Sequence, residues 1–279
     1  MISYGQNSED VLLNRLFPAD HKGFYIDVGA SHPTVGSVTA HFYARGWRGI
    51  NVEPSCSYSQ VLDARPRDTN LQLALSNHSG MATFHEFPEA AGLSTFTPEL
   101  ADFAVTRFGF KCVRRAVAVS TLAEICREHV RQPIDFLSVD VEGHERAVLE
   151  GADWKQFRPR AVVVEATRPH TTETTHAEWE GLLLAADYVF AFFDGLNRFY
   201  VRAEDRDLAL KLAVPANVFD NFVTYSEQCS LDRLHALTYR LDTTEKLGRV
   251  PLAVARRLND IETQVRRLPA AIRRLLGGA

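Results

Sequence analysis

The sequence predicts an α/β fold, a mostly parallel central sheet flanked by helices. Short apolar runs rich in β-branched and aromatic residues alternate with segments of helical periodicity through about residue 204. Several of those runs end on an acid, a glycine or a small polar residue, as parallel strands do where they open into ligand-binding loops. The chain has 279 residues, 46% hydrophobic and 24% charged, enough for one large domain and an appendage.

The elements follow in order. "SEDVLLNRLF" reads as a helix with Ser8 as its cap and acids in the first turn. "FYIDVGA", Phe24 to Ala30, is a strand, and "SVTAHFYARGW" is the helix after it, stopped at Gly46. "RGINVEPS" is the second strand, "SYSQVLDARP" its helix, and "LQLALSNHSG" a third strand leading into a turn. "ATFHEF" and "KCVRRAVAVSTLAEI" carry strand-like alternation, separated by a polar loop around "AGLSTFTPE". "IDFLSVDVEGHE" is a buried strand with acids at its end, "VLEGADW" is helical, and "RPRAVVVEAT" is another buried strand. "HAEWEGLLLAADY" is a helix, with Trp179 on its core side, and "VFAFFDGLNRFYV" a strand pair turning at Asp194 and Gly195. Asp27, Glu53, Ser76, Asp140 and Glu165 thus fall at the strand ends where such sheets bind ligands.

From about Asp205 the character changes, which predicts a first domain over 1–204 and a helical extension over 205–279. Apolar residues at Val254, Leu258, Ile261, Val265, Leu268, Ile272 and Leu275 form a heptad seam. Arg256/Arg257, Arg266/Arg267 and Arg273/Arg274 make the same segment basic, and from Arg240 onward nine Lys/Arg face four Asp/Glu. A contact between two copies of the chain is the favoured use. A basic helix on an anionic membrane surface and a helix packed on its own domain are the alternatives. The acidic remainder argues against a nucleic-acid partner. Cys56, Cys112, Cys126 and Cys229 form no CxxC pair and read as reduced, mostly buried thiols. With no basic leader or apolar span, a cytoplasmic protein is expected, with membrane association only through the tail.

The turn "GFYIDVGASHP" has one glycine, Gly29, where a dinucleotide fingerprint needs three. Pro33 has no N–H to offer a phosphate, His32 adds bulk, and Asp27 would repel a pyrophosphate. A cationic adenosyl ligand, S-adenosyl-L-methionine, suits the turn better, with Glu53 able to accept both ribose hydroxyls. A nicotinamide-dependent oxidoreductase is the rival that the missing glycines oppose, and a scaffold without activity is the non-enzyme rival.

"SYGQNSEDVLL", "GFYIDVGASHP", "NVEPS", "LALSN", "LSTF", "IDFLSVDVEGHE" and "VVVEAT", in this order, resemble the FkbM family of S-adenosylmethionine-dependent methyltransferases. The resemblance runs from about Ser3 to Val201, and Ser138 stands where the family more often has lysine. It implies a class I, Rossmann-like methyltransferase fold with a donor pocket of Asp27, Gly29, Ala30, Glu53 and Ser76, with Asn77 near the adenine. Gln6 and Asp10 would cover that pocket, and Asp140, Glu142 and His144 would form the acceptor side with Glu165 opposite. Family members methylate hydroxyls on sugars and on polyketides or other natural products. The resemblance therefore implies an O-methyltransferase acting on a sugar or glycan, or alternatively on a natural-product hydroxyl.

Methyl transfer to an alcohol needs a base or a metal. His144 suits the base, its alternative role being a cap on the helix that follows. Asp140 and Glu165 end strands expected to be neighbours, so they either raise each other's pKa or share a divalent cation such as magnesium. Asp194, Asn197 and Arg198 form a polar turn that either binds acceptor hydroxyls or a phosphate, or is a plain hairpin turn. "LSTF" reads as a lid over the donor.

Overall fold

The computed structural model describes residues 1–169 and 171–246. They divide into two compact units, one of Met1 and Ser3–Phe222, the other of Ile2 and the chain from Val223. The chain opens with β1 (Ile2–Ser3), α1 (Glu9–Asn14), β2 (Phe24–Val28), α2 (Ala40–Ala44), β3 (Arg48–Val52) and α3 (Tyr58–Ala64). There follow β4 (Thr69–Leu71), β5 (Ala74–Ser76), β6 (Gly80–Glu86), α4 (Pro98–Phe108), β7 (Val113–Thr121) and α5 (Leu122–His129). Then come β8 (Phe136–Val139), α6 (Glu145–Glu150), β9 (Ala161–Glu165), α7 (Glu180–Ala185), β10 (Tyr188–Phe193) and β11 (Asn197–Arg202). The second unit holds β12 (Val223–Thr224) and α8 (Tyr225–Lys246).

Seven strands form one sheet in the order β10-β11-β9-β8-β2-β3-β4. β9, β8, β2, β3 and β4 run parallel. β11 lies antiparallel between β9 and β10. One reversed strand, inserted before the last strand of a doubly wound sheet, is the arrangement of the class I methyltransferase fold. Strand order reverses between β2 and β8, so a crevice opens beyond their carboxyl ends.

Period-2 alternation decides which side chain meets which layer. On one face Ile26, Val28, Ile50, Val52, Leu137, Val139, Val162 and Val164 pack with Leu122 and Ile125 of α5, Leu149 of α6 and Leu183 of α7. On the other face Tyr25, Phe136, Val163 and Phe199 pack with Leu12 and Leu13 of α1 and Phe42 of α2. Asp27, Asp140 and Glu165 lie an even number of residues beyond Tyr25, Phe136 and Val163, so they continue this second face at the strand ends.

Several expectations need correcting. "LQLALSNHSG" is not one strand: β4 stays in the main sheet, while β5 leaves for a three-stranded sheet of order β5-β7-β6. The strand through "KCVRRAVAVS" stops at Thr121, whose side chain accepts from Glu124 N in a capping box and starts α5. The polar loop after "AGLSTF" contains helix α4, with Pro98 in its first turn. Ser8 makes no side-chain cap and sits at φ 64. Among the cysteines, all four are free but only Cys126 is buried.

Residues 203–222 belong to the first unit, where Leu212 is buried and Leu208, Ala209 and Ala216 rest against α1's cluster. Arg15 of α1 ties Asp220 there at 2.6 Å. The heptad seam Val254–Leu275, its arginine pairs and His170 lie outside the described residues. No helix among the described residues is long and apolar enough to cross a membrane.

Candidate active site

The crevice begins at Gly29. Its φ is +87°, and a Cβ there would stand 1.8 Å from the Asp140 carbonyl oxygen. Only glycine lets β2 and β8 end this close together. Most amides of the following loop are already engaged. Gly29 N and Ala30 N donate to Val52 O, and Ser31 N donates to Glu53 Oε2 at 2.7 Å. Thr34 N and Val35 N donate to the His32 ring Nδ1 at 3.0 and 2.9 Å. Pro33 has no amide hydrogen, and its carbonyl accepts from Arg65 at 2.7 Å. His32 and Pro33 therefore fold the loop upon itself, and the peptide donors a diphosphate needs are engaged elsewhere.

Acids line the same place. Asp27 is 5% exposed and accepts from the Thr39 hydroxyl at 2.6 Å. Burial pushes its pKa up to about 6, against the pull of Thr39 and of the Arg65 charge. Glu53 is equally buried, its second oxygen accepting from Ser55 N at 2.8 Å. Burial raises its pKa as well. Both acids thus reach their positions with hydrogen bonds already made.

Asp140 and Glu165 differ. The register of β8 and β9 pairs Val139 with Val164, so the next residues, Asp140 and Glu165, stand side by side. Asp140 is open to solvent, yet the surrounding protein raises its pKa. A side chain both solvent-reachable and ringed by protein lies in a cleft. Glu165 is 8% exposed, and burial, followed by the Asp140 charge, pushes its pKa up to about 11. Glu165 therefore keeps its proton at neutral pH. Glu165 Oε2 is a buried atom with no hydrogen-bond partner.

The turn after β8 folds around Glu145, whose Oε1 accepts from Val141 N at 3.2 Å and Gly143 N at 3.0 Å. Glu142 at φ +53° and Gly143 at φ +90° bend the chain so that His144 starts α6. Glu142 is half-buried in this turn, and burial and then Asp140 raise its pKa well above the usual range. His144 caps nothing with its side chain. Its Nε2 lies 3.1 Å from Ser76 Oγ, its ring 5.1 Å from that of Phe96, and burial holds its pKa below 6.5. His144 thus joins Ser76 at the end of β5. Asn77 is exposed and donates to Glu150 at 2.9 Å. "LSTF" is anchored rather than loose: Thr95 pairs with His85 of β6, and its hydroxyl donates to Glu142 O at 2.8 Å.

The remaining expected residues hold the frame. Asp10 accepts from the Ser3 hydroxyl and Tyr4 N, both at 2.7 Å, so its carboxylate serves its own segment. Gln6 is exposed on that segment, beside the bridge of Gly5 to Gly36. Asp194 closes the hairpin by accepting from Leu196 N and Asn197 N, the plain-turn alternative. Asn197 donates to Glu9 at 2.7 Å. Arg198 pairs with Glu180 at 2.7 Å and stacks over Phe190, on the other face of β11. Trp179 is buried in the core. The divalent cation does not fit: among the described residues no three His, Cys, Asp or Glu are grouped to hold a metal ion, and Asp140 and Glu165 lack a third ligand.

A family model for the methyltransferase FkbM domain matches residues 27–190, which contain this whole crevice. The chain belongs to the FkbM methyltransferase family. Among curated relatives of this FkbM-family chain, Methyltransferase sdnD of Sordaria araneosa is 33% identical over 120 residues. The match covers 36% of this chain and 46% of the relative, so it spans less than half of that protein. The chain is also similar to the crystal structure of Methyltransferase FkbM from Methylobacillus flagellatus KT, with TM-score 0.41 and 16% identity, over 65% of this chain and 44% of that one. A second structure is the Burkholderia thailandensis 1,6-didemethyltoxoflavin-N1-methyltransferase with bound 1,6-didemethyltoxoflavin and S-adenosylhomocysteine. It gives TM-score 0.33 and 14% identity, over 67% and 76% of the two chains.

Sequence reasoning missed three residues that shape this FkbM crevice: Thr39, Arg65 and Glu9. Thr39 and Arg65 sit on segments read only as helices, and a partner across the fold leaves no periodic trace. Glu9 was read as a first-turn acid. It is 3% exposed, and burial pushes it up to about 8.

Proposed function

We propose that this chain transfers the methyl group of S-adenosyl-L-methionine to a hydroxyl oxygen of a sugar or glycan. The loop after β2 carries the reading. Five of its amides, those of Gly29, Ala30, Ser31, Thr34 and Val35, are bonded within the protein, and the acids Asp27 and Glu53 stand beside it at the ends of β2 and β3, which suits a cationic donor and not a diphosphate. Asp27 would hold the donor's positive amino-acid end, and Glu53 the ribose hydroxyls. When bound, the donor supplies an electrophilic methyl carbon on sulfur.

The protein's own part is to bring an acceptor oxygen to about 3 Å from that carbon and take its proton. Asp140, open to the cleft, is the acceptor of that proton. Glu165 keeps its own proton and holds Asp140 beside it. His144, neutral at pH 7 and close to Ser76, borders the same turn. Carboxylates that accept hydroxyl hydrogens also suit a polyhydroxylated acceptor. The tail's heptad seam is proposed as a contact between two copies. Light scattering of the full chain against one stopped near Asp242 checks it, and a monomer in both removes it.

Calorimetry with S-adenosylhomocysteine and with NAD tests the donor. Binding of the first alone is expected, and binding of NAD alone overturns the reading. Candidate glycans are then assayed for the mass gain of one methyl, which is expected to survive a chelator.

A further inference from the structure

Arg65, at the end of α3, is 3% exposed. Among the described residues no carboxylate lies within ion-pair distance of it, an expensive state for a buried charge. Its four hydrogen bonds show how the charge is balanced. One nitrogen, Nη1, donates to the Tyr25 hydroxyl at 3.1 Å and to the Thr39 hydroxyl at 3.0 Å. The other, Nη2, donates to Pro33 O at 2.7 Å and Ser37 Oγ at 2.9 Å. Two of the three hydroxyls that accept from Arg65 pass their own hydrogen to a carboxylate. Tyr25 donates to Asp68 at 2.5 Å and Thr39 donates to Asp27 at 2.6 Å. The result is two branches that diverge from Arg65, one through Tyr25 to Asp68 and one through Thr39 to Asp27, with a cation at the fork and an anion at each end. Bonds aligned in this way strengthen one another.

We propose that Arg65, acting through Thr39, is the positioning residue that aims the Asp27 carboxylate at the donor. Arg65 holds the loop from Pro33 to Ser37 with one nitrogen and the Thr39 hydroxyl with the other. Thr39 then occupies Asp27 Oδ2 and leaves Oδ1 for the crevice. The other charged groups facing Asp27 are Asp140 and Glu53, both acids that oppose its ionisation. Arg65 and the Thr39 hydrogen bond are what keep Asp27 ionised near neutral pH in so buried a place.

The aim at a donor rests on the proposed function, whereas the chain of bonds does not, and the experiment separates them. Carboxyl carbon NMR of the full-length protein without ligand follows the titration of Asp27. In Thr39→Val, which keeps shape and loses the hydroxyl, the Asp27 midpoint is expected to rise by about one pH unit. Thr39→Ser restores the wild-type midpoint. Arg65→Lys, unable to reach both hydroxyls and the loop, moves it in the same direction as Thr39→Val. Tyr25→Phe cuts the branch to Asp68, so it lowers the melting temperature and leaves the Asp27 midpoint within a few tenths of a unit. S-adenosylhomocysteine affinity at pH 7 falls several-fold in Thr39→Val and recovers in Thr39→Ser. If Thr39→Val does not fold, Thr39→Ala replaces it. An unmoved Asp27 midpoint in the variant lacking the hydroxyl overturns the relay. A wild-type protein that ignores S-adenosylhomocysteine overturns the donor reading, with the NMR midpoint still deciding the relay.

Discussion

The two ends of the crevice treat their carboxylates in opposite ways. At β2 and β3, Asp27 and Glu53 are buried and bonded to Thr39, Ser31 and Ser55 before any ligand arrives. At β8 and β9, Asp140 and Glu165 lean on each other, one open to the cleft and one with a buried oxygen lacking a partner. A buried charge needs partners, and a set of partners fixed in advance preorganises a binding site. Two carboxyls set side by side are instead suited to exchanging a proton. In the proposed function the first end binds and the second reacts.

The largest expected break in this contrast is at the seam of the two ends. Gly29→Ala should fail to give folded protein, since the new methyl meets the Asp140 carbonyl at 1.8 Å and φ is +87°. A melting temperature near wild type in circular dichroism would contradict the packing described here. Asp140→Asn should lower turnover by roughly 10² to 10⁴ with donor affinity nearly kept. Glu165→Gln, which keeps a neutral side chain, should cost much less. Equal losses in a steady-state assay would mean that the pair does not divide its roles.

Glu53→Ala should weaken S-adenosylhomocysteine binding by roughly tenfold or more, since a charged hydrogen bond is worth about 1.5 to 3 kcal/mol. Unchanged affinity in calorimetry would return Glu53 to a purely structural part. Donor affinity should also fall as pH drops through about 6, where Asp27 takes up a proton. A flat profile from pH 7 to 5 would break the link between Asp27 and the cationic donor.

The smallest effect concerns Glu9, held beneath Asn197. Its folded pKa, about 8, lies above the ordinary glutamate value of 4.5, so the folded state binds the extra proton. The stability this contributes is complete below 4.5 and is lost as pH rises through 8. Glu9→Gln should melt within a few degrees of wild type at pH 6 and lose less on going to pH 9. Thermal scans at both values test this.

Much of this architecture is legible without coordinates. "FYIDVGA" and "IDFLSVD" are short, mostly apolar stretches that lead into acids, as strands buried on both faces do. The hairpin turning at Asp194 and Gly195 is announced by its polar turn between aromatic runs. Helix α4 was hidden because "PELADFAVTRF" follows a polar stretch and buries only Ala101 and Ala104. The break between β4 and β5 was hidden because both halves are apolar and nothing local says that they join different sheets. His144 was legible as a histidine after a glycine turn, but its neighbour Ser76 lies 68 residues back in the chain.

The sequence by itself determined the alternation of strands and helices, the acids at the strand ends and the lack of a phosphate loop, because each depends on residue type and near spacing. Only the tertiary structure decided that Asp140 and Glu165 stand in register, that Arg65 reaches Asp27 through Thr39, and that Asp10, Asp194 and Arg198 hold the frame. Those facts depend on which distant segments meet. Burial then sets the charge on each carboxyl, and the strand of residues around it does not encode how deeply it will lie.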